Sequence, residues 1–307
     1  MARGPDRVET DMVAAIIVTY HPEMVVLGAL FDSLGSQVDH IIVIDNGSSR
    51  RSVELIQQYL PGNETFISKG YNSGMAEAIN TGLSEARKLA ASHVVLFDQD
   101  SLPDPDMVEN LFSVMSIKEE TGYKVAAVGP RYSDVKGQQA SPFVKLDGMR
   151  LRRVDCNEDE VVAVDHLITS GCLISMAALA NVGDMEECLF IDYVDTEWCL
   201  RALHKGYSLF GVGSAGMKHD LGDEIVKLFG RTIPVYSSLR YYYLIRNGIW
   251  LLRQPWVSSA WRVMDFRRLF LIYLICSLFV GSKFENWKIM TIGIWDGMTG
   301  KMGRYEG

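Results

Sequence analysis

Most of the features that would assign this chain to a specialised class are missing from it. Its 307 residues hold five cysteines, Cys156, Cys172, Cys188, Cys199 and Cys276, an odd and scattered set without a Cys-x-x-Cys pair. That usage excludes a disulfide framework and a cysteine-based zinc site, and suits the reduced thiols of a cytosolic protein. Positive charge is not in excess: the formal net charge is -8, which excludes a nucleic-acid binder that works by bulk electrostatics. No Gly-x-Gly-x-x-Gly follows the first predicted strand, so a dehydrogenase-type dinucleotide site is not expected. The charge-free apolar run Leu269 to Val280 is shorter than the roughly twenty residues that cross a bilayer. Met1 to Asp11 is polar and mixed in charge and does not read as a secretory signal.

The composition that remains, 48% hydrophobic and 22% charged, is that of a folded globular protein with an ample core. Ala14 to Thr19 is a short β-branched run. Pro22 ends it and opens an apolar-periodic segment of helical spacing. A second buried strand, Ile41 to Ile44, runs into the turn cluster Asp45-Asn46-Gly47-Ser48-Ser49. This β-α-β order predicts a parallel sheet with right-handed crossovers. Asp45 reads in two ways, as a plain turn cap or as an acceptor for the ring N–H of a uracil or thymine base flanked by Thr19 and Tyr20. Tyr71 to Gly82 opens a helix that continues to about Ala91. Gly74, Ala78 and Gly82 make one smooth face that lets backbone approach a strand or a ligand closely. Asn72 and Asn80 bring amides to the helix start, a natural place for a phosphate or ribose.

The organising stretch is His93 to Asp106. Val94-Val95-Leu96-Phe97 predicts a fully buried strand, and it ends in Asp98-Gln99-Asp100-Ser101. Open α/β sheets bind ligands at the carboxyl ends of their strands. Alternation along an extended segment sends Asp98 and Asp100 to one side. Paired hard oxygens there suit Mg²⁺ or Mn²⁺ carrying a diphosphate; the other reading is a solvated turn rich in Asp.

Further on, Arg131 to Glu160 turns polar and irregular, a variable loop suited to an acceptor site. Its basic triplet Arg150, Arg152 and Arg153 reads either as a grip on an anionic acceptor phosphate or as solvated surface. Asp195 is predicted as a helix N-cap. Ser237 to Arg253 is aromatic and basic, and its Arg246 is a candidate grip on donor phosphate or acceptor. Arg262, Arg267, Arg268, Lys283 and Trp287 flank the run Leu269 to Val280. The expectation is a helix lying in a membrane interface, with a buried or homodimer-interface helix as the rival.

Taken in order, Ile-Val-Thr-Tyr-His-Pro (17–22), Asp-Asn-Gly-Ser-Ser (45–49), Asn-Ser-Gly-Met-Ala-Glu-Ala-Ile-Asn-Thr-Gly (72–82) and Phe-Asp-Gln-Asp-Ser (97–101) resemble the family 2 glycosyltransferases. Asp-Gln-Asp-Ser and Tyr241-Tyr242-Tyr243-Leu244-Ile245-Arg246-Asn247 look like the bacterial rhamnosyltransferase branch. The resemblance spans roughly residues 14 to 250. It implies a GT-A fold, an α/β architecture with a mostly parallel central sheet flanked by helices, expected over residues 11–225, with a helical appendage over 226–307. It also implies a nucleotide-sugar donor, a divalent metal, inversion at the anomeric carbon and, for this branch, dTDP-L-rhamnose.

Counting back from Arg201, the family's catalytic base falls on Asp195. The Glu that normally precedes it is Val194 here, leaving Asp192 and Glu197 as sources of the second charge. His219 matches a histidine that joins the metal or diphosphate in related enzymes. On this reading Thr19, Tyr20, Asp45, Asn72, Gly74, Asn80, Asp98, Gln99 and Arg246 contact the donor, and Asp98, Asp100 and His219 hold the metal. The expected acceptor is a growing, lipid-linked cell-surface glycan, met at the inner face of the cytoplasmic membrane. The rival functions are transfer from a UDP-hexose and a non-catalytic, nucleotide-binding subunit of a glycan-assembly complex.

Overall fold

The sheet is built outward from β1 (Val13–Thr19), which is buried along its whole length. In the computed structural model the described residues are 11–60, 62, 64–134, 141–148, 150–219, 224–228 and 231–307. After β1 come α1 (Met24–Leu34), β2 (His40–Asp45), α2 (Arg50–Tyr59), β3 (Glu64–Ser68), α3 (Met75–Lys88) and β4 (His93–Asp98). These four strands pair in parallel in the order β3-β2-β1-β4, each strand–helix–strand step being the crossover that parallel pairing demands.

The chain then adds β5 (Ser101–Pro103), α4 (Met107–Glu120), β6 (Val125–Asp134), β7 (Phe143–Asp147), β8 (Arg150–Val154), β9 (Val161–Val164), β10 (Leu173–Ser175) and α5 (Met176–Val182). A 3₁₀ turn (Glu187–Leu189), α6 (Val194–His204), β11 (Ser208–His219), β12 (Glu224–Leu228) and β13 (Arg231–Val235) follow. The sheet continues β4-β10-β6-β11-β5, with β9 beside β11, to nine strands among the described residues. β10 is antiparallel to both neighbours, β6 and β11 are parallel, and β5 and β9 run antiparallel to β11. Three helices close the chain: α7 (Ser238–Leu252), α8 (Ser259–Leu278) and α9 (Lys283–Thr299).

Alternation along the buried strands divides the core. Ile16, Val18, Ile42, Ile44, Val94 and Leu96 face α3, α6 and α7. Ala15, Ile17, Val43, Val95 and Phe97 face α1 and α4. Strands apolar on both faces are what helices on both sides of a sheet require. The smooth face of α3 is used as its spacing suggested: a Cβ at Gly82 would stand 2.4 Å from Ile16 Cγ2. Gly82→Val is therefore expected to lose about 2 kcal/mol by overpacking a site that cannot yield, read as a lower urea midpoint.

Two expectations are corrected. The described residues within 131–154 are largely strand rather than irregular: β6 runs on to Asp134, and β7 and β8 form an antiparallel hairpin, with the exposed Arg150, Arg152 and Arg153 on β8; residues 135–140 and 149 lie outside the described residues. Asp195 is not the N-cap of α6. That place belongs to Tyr193 in a left-handed conformation, and Asp195 lies in the first turn. The five cysteines are free thiols.

Candidate active site

The ends of β1, β2 and β4 face the loop before α6 across an open cleft of about 510 Å³. One wall carries Val18, Tyr20, Asn46, Asn72, Gly74, Asp98, Gln99 and Asp100. The other carries Phe190 to Asp195, with Arg240 of α7. Asp98 ends β4 and Asp100 lies in the turn before β5, so a turn, rather than continued strand alternation, brings both to the cleft. Gln99 ties that turn to β1: its Oε1 accepts from Tyr20 N–H at 2.8 Å and its Nε2 donates to Tyr20 O at 3.3 Å.

Asp45 and Thr19 are paired across β1 and β2 and are wholly buried beneath the cleft. Asp45 Oδ2 accepts from Ser48 N–H at 3.2 Å and the Ser68 hydroxyl at 3.1 Å. Asp45 Oδ1 and Thr19 Oγ1 find no partner among the described residues. Buried polar atoms are normally paired, so these two at one strand end stand out.

The turn Asn72–Gly74 is held by Asn46, which sequence reading left as part of a turn cluster. Asn46 Oδ1 accepts from Ser73 N–H and Oγ at 2.9 and 3.0 Å, and its amide donates to Gly74 O at 3.2 Å. Gly74 has φ +89, and a Cβ there would meet Phe190 Cδ2 at 2.6 Å. Gly74→Ala is thus expected to push the opposite wall of the cleft outward, reducing donor affinity severalfold in a titration while the fold persists.

The loop facing the Asp98–Asp100 wall is strained. Phe190, Asp192 and Tyr193 all have positive φ, a conformation that persists only where surroundings over-determine it. Asn247 supplies that restraint by donating to Leu189 O, Ile191 O and Asp192 O at 2.8, 2.7 and 3.0 Å. Arg246 adds a bond to Leu189 O at 3.0 Å. Tyr193 OH donates to Asp265 Oδ2 of α8 at 2.7 Å.

Asp195 lies next along this wall. Its Oδ1 accepts from Thr196 N–H at 2.6 Å, and its Oδ2 stands 3.6 Å from His166 Nε2. Burial pushes the Asp195 carboxyl up, but the neighbouring His166 and the Thr196 donors outweigh it and hold it below the ordinary carboxylate value. Asp195 is therefore ionised at neutral pH. Of the two sources of a second charge, Asp192 lines the cleft, and Glu197 does not. Glu197 is fully buried and takes two 2.8 Å bonds from Arg201. Asp192 sits 3.4 Å from Arg240 Nε, its Oδ2 lacks a partner among the described residues, and burial pushes its carboxyl up.

Five sequence-predicted positions are outside the cleft lining: the buried Thr19 and Asp45, and three others. Asn80 is spent on Met185 O and Glu187 Oε1, both at 2.9 Å. Arg246 is fully buried, with Leu189 O, Gly303 O and Asn247 as partners, because mid-α7 faces the core. The cation at the cleft is Arg240, at the exposed start of that helix. For His219 only the backbone is described, paired opposite Ser101 beside the Asp98–Asp100 turn; its side chain lies outside the described residues. Sequence reading missed Asn46, His166 and Arg240. No local signal marks His166, whose partner is 29 residues away along the chain.

Residues 15–180 match the model of glycosyl transferase family 2. The chain is 32% identical over 299 residues to the dTDP-rhamnosyl transferase RfbF of Shigella flexneri, covering 95% of this chain and 97% of that protein. The chain belongs to glycosyl transferase family 2. It is 24% identical to the low-salt glycan biosynthesis hexosyltransferase Agl10 of Haloferax volcanii, over 78% of this chain and 76% of that one. Among solved structures, residues 1–349 of Staphylococcus aureus TarS superpose with a TM-score of 0.58 at 15% identity, covering 93% of this chain and 80% of that one. GalNAc-T7 with UDP, GalNAc and Mn²⁺ gives 0.59 at 13% identity, covering 94% of this chain and 56% of that one. The sheet and its flanking helices are the GT-A fold, and the protein is a glycosyltransferase.

Proposed function

We propose that this glycosyltransferase moves L-rhamnose from dTDP-L-rhamnose, with inversion, onto a lipid-linked bacterial cell-surface glycan. The observation that carries the chemistry is the opposition of Asp98 and Asp100 on one wall to an ionised Asp195 on the other. Similarity along nearly the whole chain to a dTDP-rhamnosyl transferase supports the donor. In this reading the thymine ring lies at the ends of β1 and β2, where the unpartnered Asp45 Oδ1 accepts its ring N–H. Asp195 Oδ2 takes the proton of the acceptor hydroxyl as that oxygen bonds to C1 and the C1–O bond to the diphosphate breaks on the opposite face.

No group of three metal-ligating side chains occurs among the described residues. Two carboxylates at the cleft and the backbone of His219 beside them fit Mg²⁺ or Mn²⁺ whose other ligands come from the donor. Bound there, the cation would offset charge on the departing dTDP. Arg240 lies on the same cleft and completes the positive side.

The test is thermal stabilisation by nucleotide sugars with and without Mg²⁺ or Mn²⁺. At a hundredfold excess over Kd, dTDP-L-rhamnose is expected to add about 2.7 kcal/mol of apparent stability, and EDTA to remove it. A larger shift with a UDP-hexose would discard rhamnose, and no shift with any donor would discard catalysis.

The lipid part of the proposal rests on α8 and α9. No helix among the described residues is long and apolar enough to cross a membrane. Yet Phe266, Phe270, Leu274 and Leu278 recur every fourth residue along α8, all exposed, and Phe284, Trp287 and Trp295 are exposed on α9. Exposed Arg267, Lys283 and Lys288 accompany them, a combination suited to an anionic lipid interface. Co-sedimentation with anionic vesicles should fall at least fivefold in Phe266→Glu/Phe270→Glu; equal binding would remove the membrane from the proposal.

A further inference from the structure

Tyr193 caps α6 in a left-handed conformation, with φ +67. Its carbonyl accepts from Glu197 N–H at 2.8 Å, which closes the first helical turn, where Asp195 lies. The backbone at Tyr193 therefore aims Asp195. The side chain of Tyr193 leaves the loop for the C-terminal helices. Its hydroxyl lies against Gly248 of α7, where a Cβ would stand 2.8 Å from that oxygen and 2.6 Å from Leu269 Cδ1. A larger residue at 248 would close the passage.

On α8 the hydroxyl meets two groups. It donates to Asp265 Oδ2 at 2.7 Å and accepts from a terminal nitrogen of Arg268 at 3.1 Å. The same nitrogen donates to Asp265 Oδ1 at 3.1 Å, so the three side chains close a triangle. Asp265 is only 2% exposed. Taking a carboxylate out of water is costly, and a buried ion pair often stabilises less than apolar residues of the same volume. Its better-attested service is to fix one arrangement. The arrangement held here is a loop with non-glycine residues at positive φ, which persists only where its surroundings enforce it.

Asn247 holds the carbonyls of this loop, and the triangle anchors a side chain of the same loop two residues before Asp195. Tyr193, Asp265 and Arg268 all lie beyond residues 15–180, the part of the chain that matches the family model. The helix that supplies Asp265 also exposes Phe266 and Phe270, so the arm assigned to the lipid interface is the arm that grips the loop.

We propose that Asp265 and Arg268 are positioning residues that, through the Tyr193 hydroxyl, hold Asp195 against His166. The bearing of this anchor on turnover rests on Asp195 being the base, but its test does not. The Asp195 carboxyl is followed by carbon NMR in a pH titration of the full chain without donor. His166, Asp192, Tyr132 and the buried thiols of Cys172 and Cys199 are the titratable groups that feel the Asp195 charge. Tyr193→Phe alters none of them, so a changed titration reports a displaced carboxyl.

In Tyr193→Phe the Asp195 carboxyl is expected to rise by about half a pH unit or more as it draws away from His166. Asp265→Ala is expected to raise it too. Loss of a negative charge would by itself lower a nearby carboxyl, so a rise in that variant comes from displacement. Circular dichroism establishes that each variant is folded; should Asp265→Ala fail to fold, Tyr193→Phe decides alone. The proposal is overturned if Asp195 titrates in Tyr193→Phe as in the parent, or falls in Asp265→Ala. Undiminished transfer in Asp195→Asn would remove the base and leave the titration result standing. An unmoved titration, with transfer lost in Asp195→Asn, would remove the anchor and keep the base.

Discussion

Asp195→Asn is expected to lower rhamnosyl transfer by about 10²–10⁴-fold, the range typical of a lost general base. Stabilisation by the donor with Mg²⁺ should persist. The substitution keeps the shape of the side chain and an oxygen for the Thr196 N–H, now accepted at 2.6 Å. What it removes is the capacity to take a proton. Undiminished transfer in that variant would sink the base assignment. His166→Ala gives a second, independent reading. Burial raises the Asp195 carboxyl, while the neighbouring His166 and the Thr196 donors lower it and prevail. With the imidazole gone, only the Thr196 donors oppose burial and the carboxyl should rise. The acid limb of the kcat–pH profile should then move to higher pH, with transfer well above the limb reduced only severalfold. An unmoved limb would mean that His166 does not act on the base.

Arg246→Ala is expected to be the most damaging substitution away from the cleft, costing about 3 kcal/mol of unfolding free energy. Its fully buried guanidinium donates to the carbonyls of Leu189 and Gly303 and to Asn247, and lies 4.9 Å from the Tyr243 ring centroid. Charged hydrogen bonds of this kind contribute about 1.5–3 kcal/mol each, and the acceptors they abandon are left unsatisfied in the core. The stability loss should be accompanied by a loss of kcat, because the same cluster holds the positive-φ segment that leads into Asp195. Urea denaturation and donor titration separate the two effects: donor affinity falls less than turnover if the damage is confined to the wall that carries the base. Equal stability in variant and parent would show that Arg246 is not a clamp.

The family resemblance put Arg246 at the donor or acceptor. The contacts of Arg246 make it instead a brace of the loop before α6. Nothing local distinguishes the two roles, since an Arg on an aromatic helix is equally suited to both. Arg240 sits six residues earlier on the same helix, and the difference between core and cleft is settled by how α7 docks.

Local sequence determined the buried strands and the turn chemistry. Apolar runs of strand length ending in Asp, Asn and Gly can satisfy burial and backbone hydrogen bonding in few ways other than a parallel sheet with its polar ends together. Asp45, Asp98 and Asp100 followed from that pattern, as did the close approach that Gly82 and Gly74 permit. Tertiary structure decided what depended on pairs distant along the chain. It set His166 against Asp195, Asn46 beneath the Asn72–Gly74 turn, and Asp192 rather than Glu197 at the cleft, because Arg201 neutralises Glu197 in the core. The physical reason is the same throughout: periodicity dictates which face of an element is buried, whereas a polar side chain's role depends on its partner, and only packing supplies the partner.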